Sequence, residues 1–283
     1  MRIERHQVDG ERVAQAREDF VNRIGRQVHS YSRAGLMTTT EWQLIADSFL
    51  DHLGALSTTR PALDSAEAKA VLKAVLKAVL KDAAEAAAGA VSFAAYYPHD
   101  GVSVFLDYPN FGMGYDAEYG QERDPRHRVT AREWLDAFCL AIVADKVSAH
   151  GEAFCWARQL MPDEPVTPAL ELVDGFVVHF FEEAGLPAVS TEPQPGLRAL
   201  RALTDGNRDV FDAALLALGD HHSVADRATG TGAALSLDIL GLACHARRSR
   251  GWAVHVRSPY LPSRLLQAAG RARRGVREPE AAL

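Results

Sequence analysis

The segment TAREWLDAFCLAIVADK, residues 130–146, carries the clearest fold signal in the chain. Thr130 and Glu133 have the spacing of a capping box, in which each side chain bonds the backbone N–H of the other residue. Apolar residues then recur at intervals of three and four, which places them on one helix face: Trp134, Leu135, Phe138 and Ile142. The pattern predicts an amphipathic helix that runs as far as His150, where Gly151 interrupts it.

Start signals of the same kind predict four further helices. They are Asp9 before an apolar series from Val13 to Tyr31, Thr40 with Gln43, Asp64 with Glu67, and Thr167 with Pro168. After Glu67 the tetrapeptide AVLK occurs three times, over residues 70–81. Its lysines stand four residues apart, so their row drifts by about 40° per repeat around the helix. We therefore predict a solvated face there and assign it no function.

The pattern changes after Gly89 and predicts a small β element. Over residues 101–108 the side chains of Val102, Val104 and Leu106 alternate with those of Ser103, Phe105 and Asp107, which is typical of a short strand. The next segment is YPNFGMGYDAEYGQERDP, residues 108–125, which has no helical period and is predicted to be a loop. We expect strand structure to be confined to about residues 101–108.

The second half of the chain begins with the best linker candidate, STEPQPG at residues 190–196. Residues 197–222 predict two short helices joined by the tight turn Asp205-Gly206-Asn207, with the second helix ending at Gly219. A helix over roughly residues 231–248 and a last short one after Pro262 complete the pattern.

Together these segments predict a mainly α fold of about nine helices with a small β insertion near residues 101–108. The architecture would be a multi-helix bundle or an irregular array of helical hairpins. We divide the chain into an N-terminal helical domain at 1–189, C-terminal helical hairpins at 197–269 packed on it, and a basic flexible tail at 270–283.

Charge is unevenly distributed along the 283 residues, whose formal net charge is -6. Nine arginines and no acidic residue lie between Ile239 and Arg277, so the rest of the chain is more acidic than the total suggests. An acidic body favours a basic partner. The arginine-rich end could meet nucleic acid, an acidic surface or the chain's own acidic face. We expect the stretch from Arg271 to Arg277 to be a solvated terminus that partner binding does not need.

Two features favour a cytoplasmic protein. No stretch approaches the roughly 20 uninterrupted apolar residues of a membrane-spanning helix, and the first residues lack the apolar run of a secretory signal. Cys139, Cys155 and Cys244 are widely spaced and form no C-x-x-C pair, so we predict structural thiols.

None of the histidine and carboxylate groupings has the pattern of an active site. The four histidine and carboxylate groupings are His179 with Glu182, Asp145 with His150 and Glu152, Asp220 with His221 and His222, and His99 with Asp100, and the candidate phosphate loop is Gly112-Met113-Gly114. A metal site needs three or four ligands, and a nucleophile needs an adjacent base. Each grouping lacks a required partner, so we predict no cofactor, no metal and no enzymatic activity.

Four segments resemble the immunity 49 family: FLDYPNFGMGYD at 105–116, REWLDAFCLAIVADK at 132–146, HGEAF at 150–154 and YLPSRLL at 260–266. The resemblance implies a protein of a bacterial polymorphic toxin system, in which the cell that makes a toxin also makes a partner that binds and neutralises it. Two other functions remain open: an α-helical metal-dependent hydrolase, and a regulator that binds nucleic acid through the arginine-rich end.

The loop from Asp107 to Tyr119 is the predicted toxin-binding surface. Its aromatic residues would act as anchors, because interface energy concentrates in large rings that lose water. The predicted anchors are Tyr108, Phe111, Tyr115 and Tyr119, and the predicted charged surround is Asp107, Asp116 and Glu118. The alternative is that Gly112 and Gly114 let the loop fold back, so that its rings join the core.

Overall fold

The computed structural model describes residues 10–34, 38–58, 66–117, 122–124, 127–161, 167–181, 193–229 and 236–253. Within these ranges the chain forms a mainly α fold with a small β insertion, as the sequence predicts, and the insertion is a β-hairpin. The helices are α1 (Gly10–Ala34), α2 (Thr39–Thr58), α3 (Ala66–Tyr96), α4 (Ala131–Ala144), α5 (Val147–Gln159), α6 (Pro168–Phe181), α7 (Pro195–Thr204), α8 (Arg208–Thr229) and α9 (Leu237–Arg250). The hairpin strands are β1 (Val102–Leu106) and β2 (Phe111–Tyr115).

Helices α3 and α4 form the centre of the molecule. Helix α3 packs against α2, α4, α5 and β1, and α4 packs against α3, α5, α6 and α9. Buried alanines fill the second half of α3, so neighbouring helices approach it closely. A Cβ on Gly89 would lie 2.6 Å from the Trp42 ring, which shows how closely α2 approaches.

The capping box of α4 is formed as predicted. Thr130 Oγ1 accepts a hydrogen bond from the backbone N–H of Glu133, and the Glu133 carboxylate accepts one from the N–H of Thr130 at 2.8 Å. The Thr167 hydroxyl likewise accepts from the N–H of Leu170 at the start of α6. These two helix starts are therefore confirmed.

The predicted cap of α2 is wrong by two residues. Thr38, and not Thr40, pairs with a carboxylate three positions later, because Glu41 accepts hydrogen bonds from both the N–H and the hydroxyl of Thr38. The side chain of Gln43 bonds Asp47 one turn further along instead. Three consecutive threonines at 38–40 made both registers compatible with the sequence.

Two predicted interruptions at glycine are also wrong. Helix α4 ends at Asp145, whose left-handed φ of 62° closes it, and α5 continues through Gly151. A Cβ on Gly151 would lie 2.8 Å from the Phe181 ring, so glycine serves the close approach of α5 and α6. Helix α8 runs through Gly219 to Thr229, because a single glycine costs a helix only about 1 kcal/mol. Asp220, His221 and His222 therefore lie within α8 and do not follow a helix end.

The hairpin extends beyond the predicted strand. Strand β2 lies in the segment predicted to be a loop and pairs antiparallel with β1, with Val102 opposite Tyr115 and Leu106 opposite Phe111. In the second half of the chain α7 and α8 form the predicted helical hairpin, joined through Asp205 and Gly206. Helix α9 begins at Leu237, after the extended Ser236. The tail at 270–283 and the short helix predicted after Pro262 lie outside the described residues.

Candidate protein-binding surface

The β-hairpin has one buried face and one exposed face. Val102, Val104 and Leu106 of β1 are buried, together with Met113 and Tyr115 of β2. Ser103 and Phe105 point outward, opposite Gly114 and Gly112. The alternation predicted for β1 is confirmed, and it continues in β2 because side chains on a strand point to opposite faces in turn.

Asp82 of α3 holds the turn of the hairpin. Its side chain is fully buried and accepts hydrogen bonds from the backbone N–H of Asp107 at 3.2 Å and of Tyr108 at 2.6 Å. Burial raises the pKa of Asp82 to about 6, although both backbone hydrogen bonds favour the charged form. Next to it on α3, Lys81 forms an ion pair with Asp107. Both contacts attach residues 107–108 to the helical body.

The predicted anchors lie at different depths. Tyr108 is half-buried, with its ring centroid 6.2 Å from that of Phe20 and 6.0 Å from that of His52. Phe111 is also half-buried. Both rings therefore combine contact with the body and an accessible part, as an interface residue requires.

Tyr115 belongs to the core. It is 7% exposed, its ring centroid lies 5.5 Å from that of Phe93 and 5.2 Å from that of Tyr97, and its hydroxyl donates to the Pro98 carbonyl at 3.4 Å. For this ring the structure matches the alternative in which the segment folds back into the core.

The predicted charged surround is only partly described. Asp107 and Asp116 are exposed at the two ends of the described segment. Glu118 and Tyr119 lie outside the described residues.

Phe105 is an exposed aromatic residue of the hairpin that lies just outside the predicted segment 107–119. It is 54% exposed, and its ring lies over Gly112, since a Cβ there would be 3.7 Å from Phe105 Cδ2. The alternation at residues 102–107 already placed this phenylalanine on the polar face of β1. A large apolar ring on an otherwise polar face was the available signal.

The residues considered for acid/base chemistry are dispersed. Asp145 caps α4, Glu152 is exposed on α5, and His150 donates a hydrogen bond to Glu85 of α3 at 3.0 Å. Burial would raise the pKa of Glu85, but contacts with His150 and with Lys146, 2.6 Å away, outweigh it and hold the pKa at about 2. Glu85, Lys146 and His150 therefore form a cluster of polar contacts that joins α3 to the start of α5.

His179 pairs with another histidine. Its Nε2 lies 2.8 Å from Nε2 of His245, and its Nδ1 lies 3.1 Å from the Thr204 hydroxyl. The Nε2 separation is that of a hydrogen bond, because two nitrogens on a tetrahedral zinc would stand about 3.3 Å apart. Where the structure describes the chain, no group of three or more His, Cys, Asp or Glu side chains could hold a metal ion.

Two arginines from the basic stretch serve the fold. Arg248 donates to the carbonyls of Ile142 and Val143, and Arg250 donates to those of Leu203 and Thr204. Each guanidinium thereby covers the exposed carbonyls at the end of a helix, α4 or α7. None of the helices in the described ranges has the length and hydropathy needed to cross a bilayer.

Comparison with known protein families identifies the family of this chain. The family model described as immunity protein 49 matches residues 64–265, which include the hairpin, the central helices and the arginines that cap α4 and α7. No curated protein and no solved structure matches the chain. Because the matched segment is well over half of the 283 residues, the chain belongs to the immunity protein 49 family.

Proposed function

We propose that this protein is an immunity protein that binds a cognate toxin and neutralises it in the cytoplasm of the producing cell. Family membership supports this function directly. It also favours a binding protein over an enzyme.

The toxin-binding surface that we propose is the turn and outer face of the hairpin. The observation that carries this proposal is the exposure of Phe105, which is 54% accessible on a hairpin held by the buried carboxylate of Asp82. A backbone segment held in place before binding loses little conformational freedom when a partner covers it. Tyr108 adds a half-buried ring at the turn. Phe111 lies opposite Leu106 and so shares the inner face with Tyr115, and both rings support the hairpin from inside.

Acidic residues around these rings fit a basic toxin. Asp107 and Asp116 are exposed at the hairpin, and Glu118 and Tyr119 follow directly in the sequence. Carboxylates at the rim of an interface accelerate association more than they strengthen the final complex. We therefore assign recognition of the toxin to the rings and attraction of it to the carboxylates.

The experiment compares Phe105→Ala with Trp156→Ala, which removes another exposed aromatic, 50% accessible, from α5. Each variant is expressed together with a toxin domain from a gene adjacent to the one that encodes this chain, and growth of the cells is measured. We expect wild type and Trp156→Ala to protect the cells and Phe105→Ala to protect them poorly, with little change in melting temperature. Toxicity that wild type fails to suppress would contradict the function, whereas equal protection by both variants would contradict the surface.

A further inference from the structure

A groove of about 830 Å³ lies beside the hairpin. One wall is α3 between Ala74 and Lys81, and the opposite wall is the junction of α4 and α5 together with the last turns of α9. Val147 and Phe180, which are partly buried, give it an apolar lining over the buried side chains of Leu80, Ile142 and Val143. Apolar concave surfaces of this size are typical of binding sites.

The polar lining of the groove is mainly cationic. Lys77, Lys81, Lys146 and Arg248 contribute four positive charges, against the two carboxylates of Asp107 and Asp145. Burial lowers the pKa of the lining His245 to about 4, so this ring is neutral at pH 7. A positive groove is unexpected in a chain of net charge -6, and it would attract an acidic ligand.

Three of the four cations already have partners within the protein. Arg248 donates to the carbonyls of Ile142 and Val143. Lys81 and Lys146 are paired with Asp107 and Glu85, respectively. Lys77 is exposed and has no carboxylate partner within the ranges that the structure describes. It belongs to the lysine row of the repeated AVLK segment, and Lys73, one turn earlier, is also exposed.

We propose that this groove binds an acidic amphipathic helix of the toxin. Apolar side chains of that helix would cover the lining of the groove, and its carboxylates would reach Lys77 and Lys73. Lysines four residues apart are spaced by about 6 Å along α3, which matches carboxylates at positions i and i+4 of a helix lying alongside. The proposal rests on the proposed function and adds a second contact area, joined to the hairpin through the Lys81–Asp107 ion pair.

The test uses one charge change and one steric change. Lys77→Glu reverses the charge of Lys77, and Ala74→Trp fills the groove from an exposed position on α3. The matched controls are Arg198→Glu on α7 and Ala213→Trp on α8, which alter exposed residues outside the groove. Dissociation constants for the full-length variants and the adjacent-gene toxin domain are measured by isothermal titration calorimetry at low and high salt.

We expect both groove variants to weaken binding by at least tenfold and both controls to change it by less than twofold. Higher salt should weaken the wild-type complex more than the Lys77→Glu complex, because one ion pair has been removed. If both groove variants bind like wild type while Phe105→Ala binds weakly, the groove inference is wrong and the proposed function stands. If wild type forms no complex, both the groove inference and the proposed function are wrong. Self-association of the wild-type chain that Ala74→Trp abolishes would also overturn the inference, because a second copy would then fill the groove.

Discussion

The carboxylate of Asp82 lies 2.6 Å from the backbone nitrogen of Tyr108 and accepts its hydrogen bond. A buried residue in the middle of α3 thus fixes the position of a turn 26 residues later in the chain. The same carboxylate accepts from the N–H of Asp107, so the turn is held at two successive residues. The proposed toxin-binding surface therefore depends on the helical core for its conformation.

We predict that Asp82→Ala detaches the hairpin turn without unfolding the protein. Two backbone N–H groups lose their acceptor, which should lower the free energy of unfolding by about 1–3 kcal/mol. Hydrogen exchange followed by NMR should show the Tyr108 amide exchanging much faster in the variant. Asp100→Asn, at an exposed carboxylate, is the control and should leave this amide protected. An unchanged Tyr108 exchange rate in Asp82→Ala would show that Asp82 does not hold the turn.

Two glycine substitutions in helices should have opposite effects on stability. A Cβ on Gly241 of α9 would lie 2.9 Å from both Cβ and Sγ of Cys139 on α4, whereas one on Gly25 of α1 would meet no described atom within 4 Å. Gly241→Ala should therefore lower the free energy of unfolding by about 1–3 kcal/mol through overpacking. Gly25→Ala should raise it by up to about 1 kcal/mol, because alanine favours the helix. Urea denaturation measures both, and equal effects would contradict the close contact of α4 and α9.

Glu85→Gln should destabilise the junction of α3 and α5. The variant leaves Lys146 without its charged partner at a largely buried position, at a cost of about 1–3 kcal/mol at pH 7. The folded-state pKa of about 2 lies below the usual 4.5, so the carboxylate stabilises the fold above pH 4.5 and loses that effect as the pH falls towards 2. Urea denaturation at pH 7 and pH 3 should show the wild-type advantage shrinking, and Glu152→Gln is the exposed control. If wild type exceeded Glu85→Gln in stability by the same amount at both pH values, the negative charge of Glu85 would not be the source of the difference.

The histidine pair should make the protein less stable in mild acid. Burial and the nearby His179, Arg248 and Arg250 lower the pKa of His245 to about 4. Because the folded-state pKa is lowered, the neutral His245 ring contributes fully to the free energy of unfolding above pH 6.5. That contribution is lost as the pH falls from 6.5 towards 4. The free energy of unfolding should therefore fall by about 1–2 kcal/mol more in wild type than in His245→Gln between pH 7 and pH 5.

The control for this prediction is His99→Gln, which alters an exposed histidine. It should follow the wild-type pH dependence closely. If His245→Gln follows it as well, the acid sensitivity arises from other groups.

Local signals predicted the starts of α4 and α6, whose cap partners are close in sequence, although the run of threonines at 38–40 misplaced the cap of α2 by two residues. The Thr130–Glu133 box spans one helical turn, so its two residues were sufficient to place the start of α4. The roles of Gly151 and Gly219 could not be read in this way. Gly151 admits the Phe181 ring from another helix, and nothing near Gly151 in the sequence reveals that contact.

The candidate surface was predictable only in part, for a similar reason. The sequence identified the segment 107–119, but it did not indicate which of its rings would face the core. That orientation depends on the register of β2 against β1, which places Tyr115 opposite Val102 on the buried face. The groove was not predictable at all, because its walls come from helices far apart in the chain.

The measurement that tests the central claim most directly is isothermal titration of this protein into a purified toxin domain from the adjacent gene. The account predicts a one-to-one complex with a dissociation constant below about 1 µM, since specific interfaces of standard size commonly reach that range. Phe105→Ala should bind at least tenfold more weakly, and Trp156→Ala should bind like wild type. The absence of binding heat or of a co-eluting complex at 10 µM or more of both proteins, roughly ten times the predicted dissociation constant, would contradict the claim that this chain neutralises a toxin by binding it.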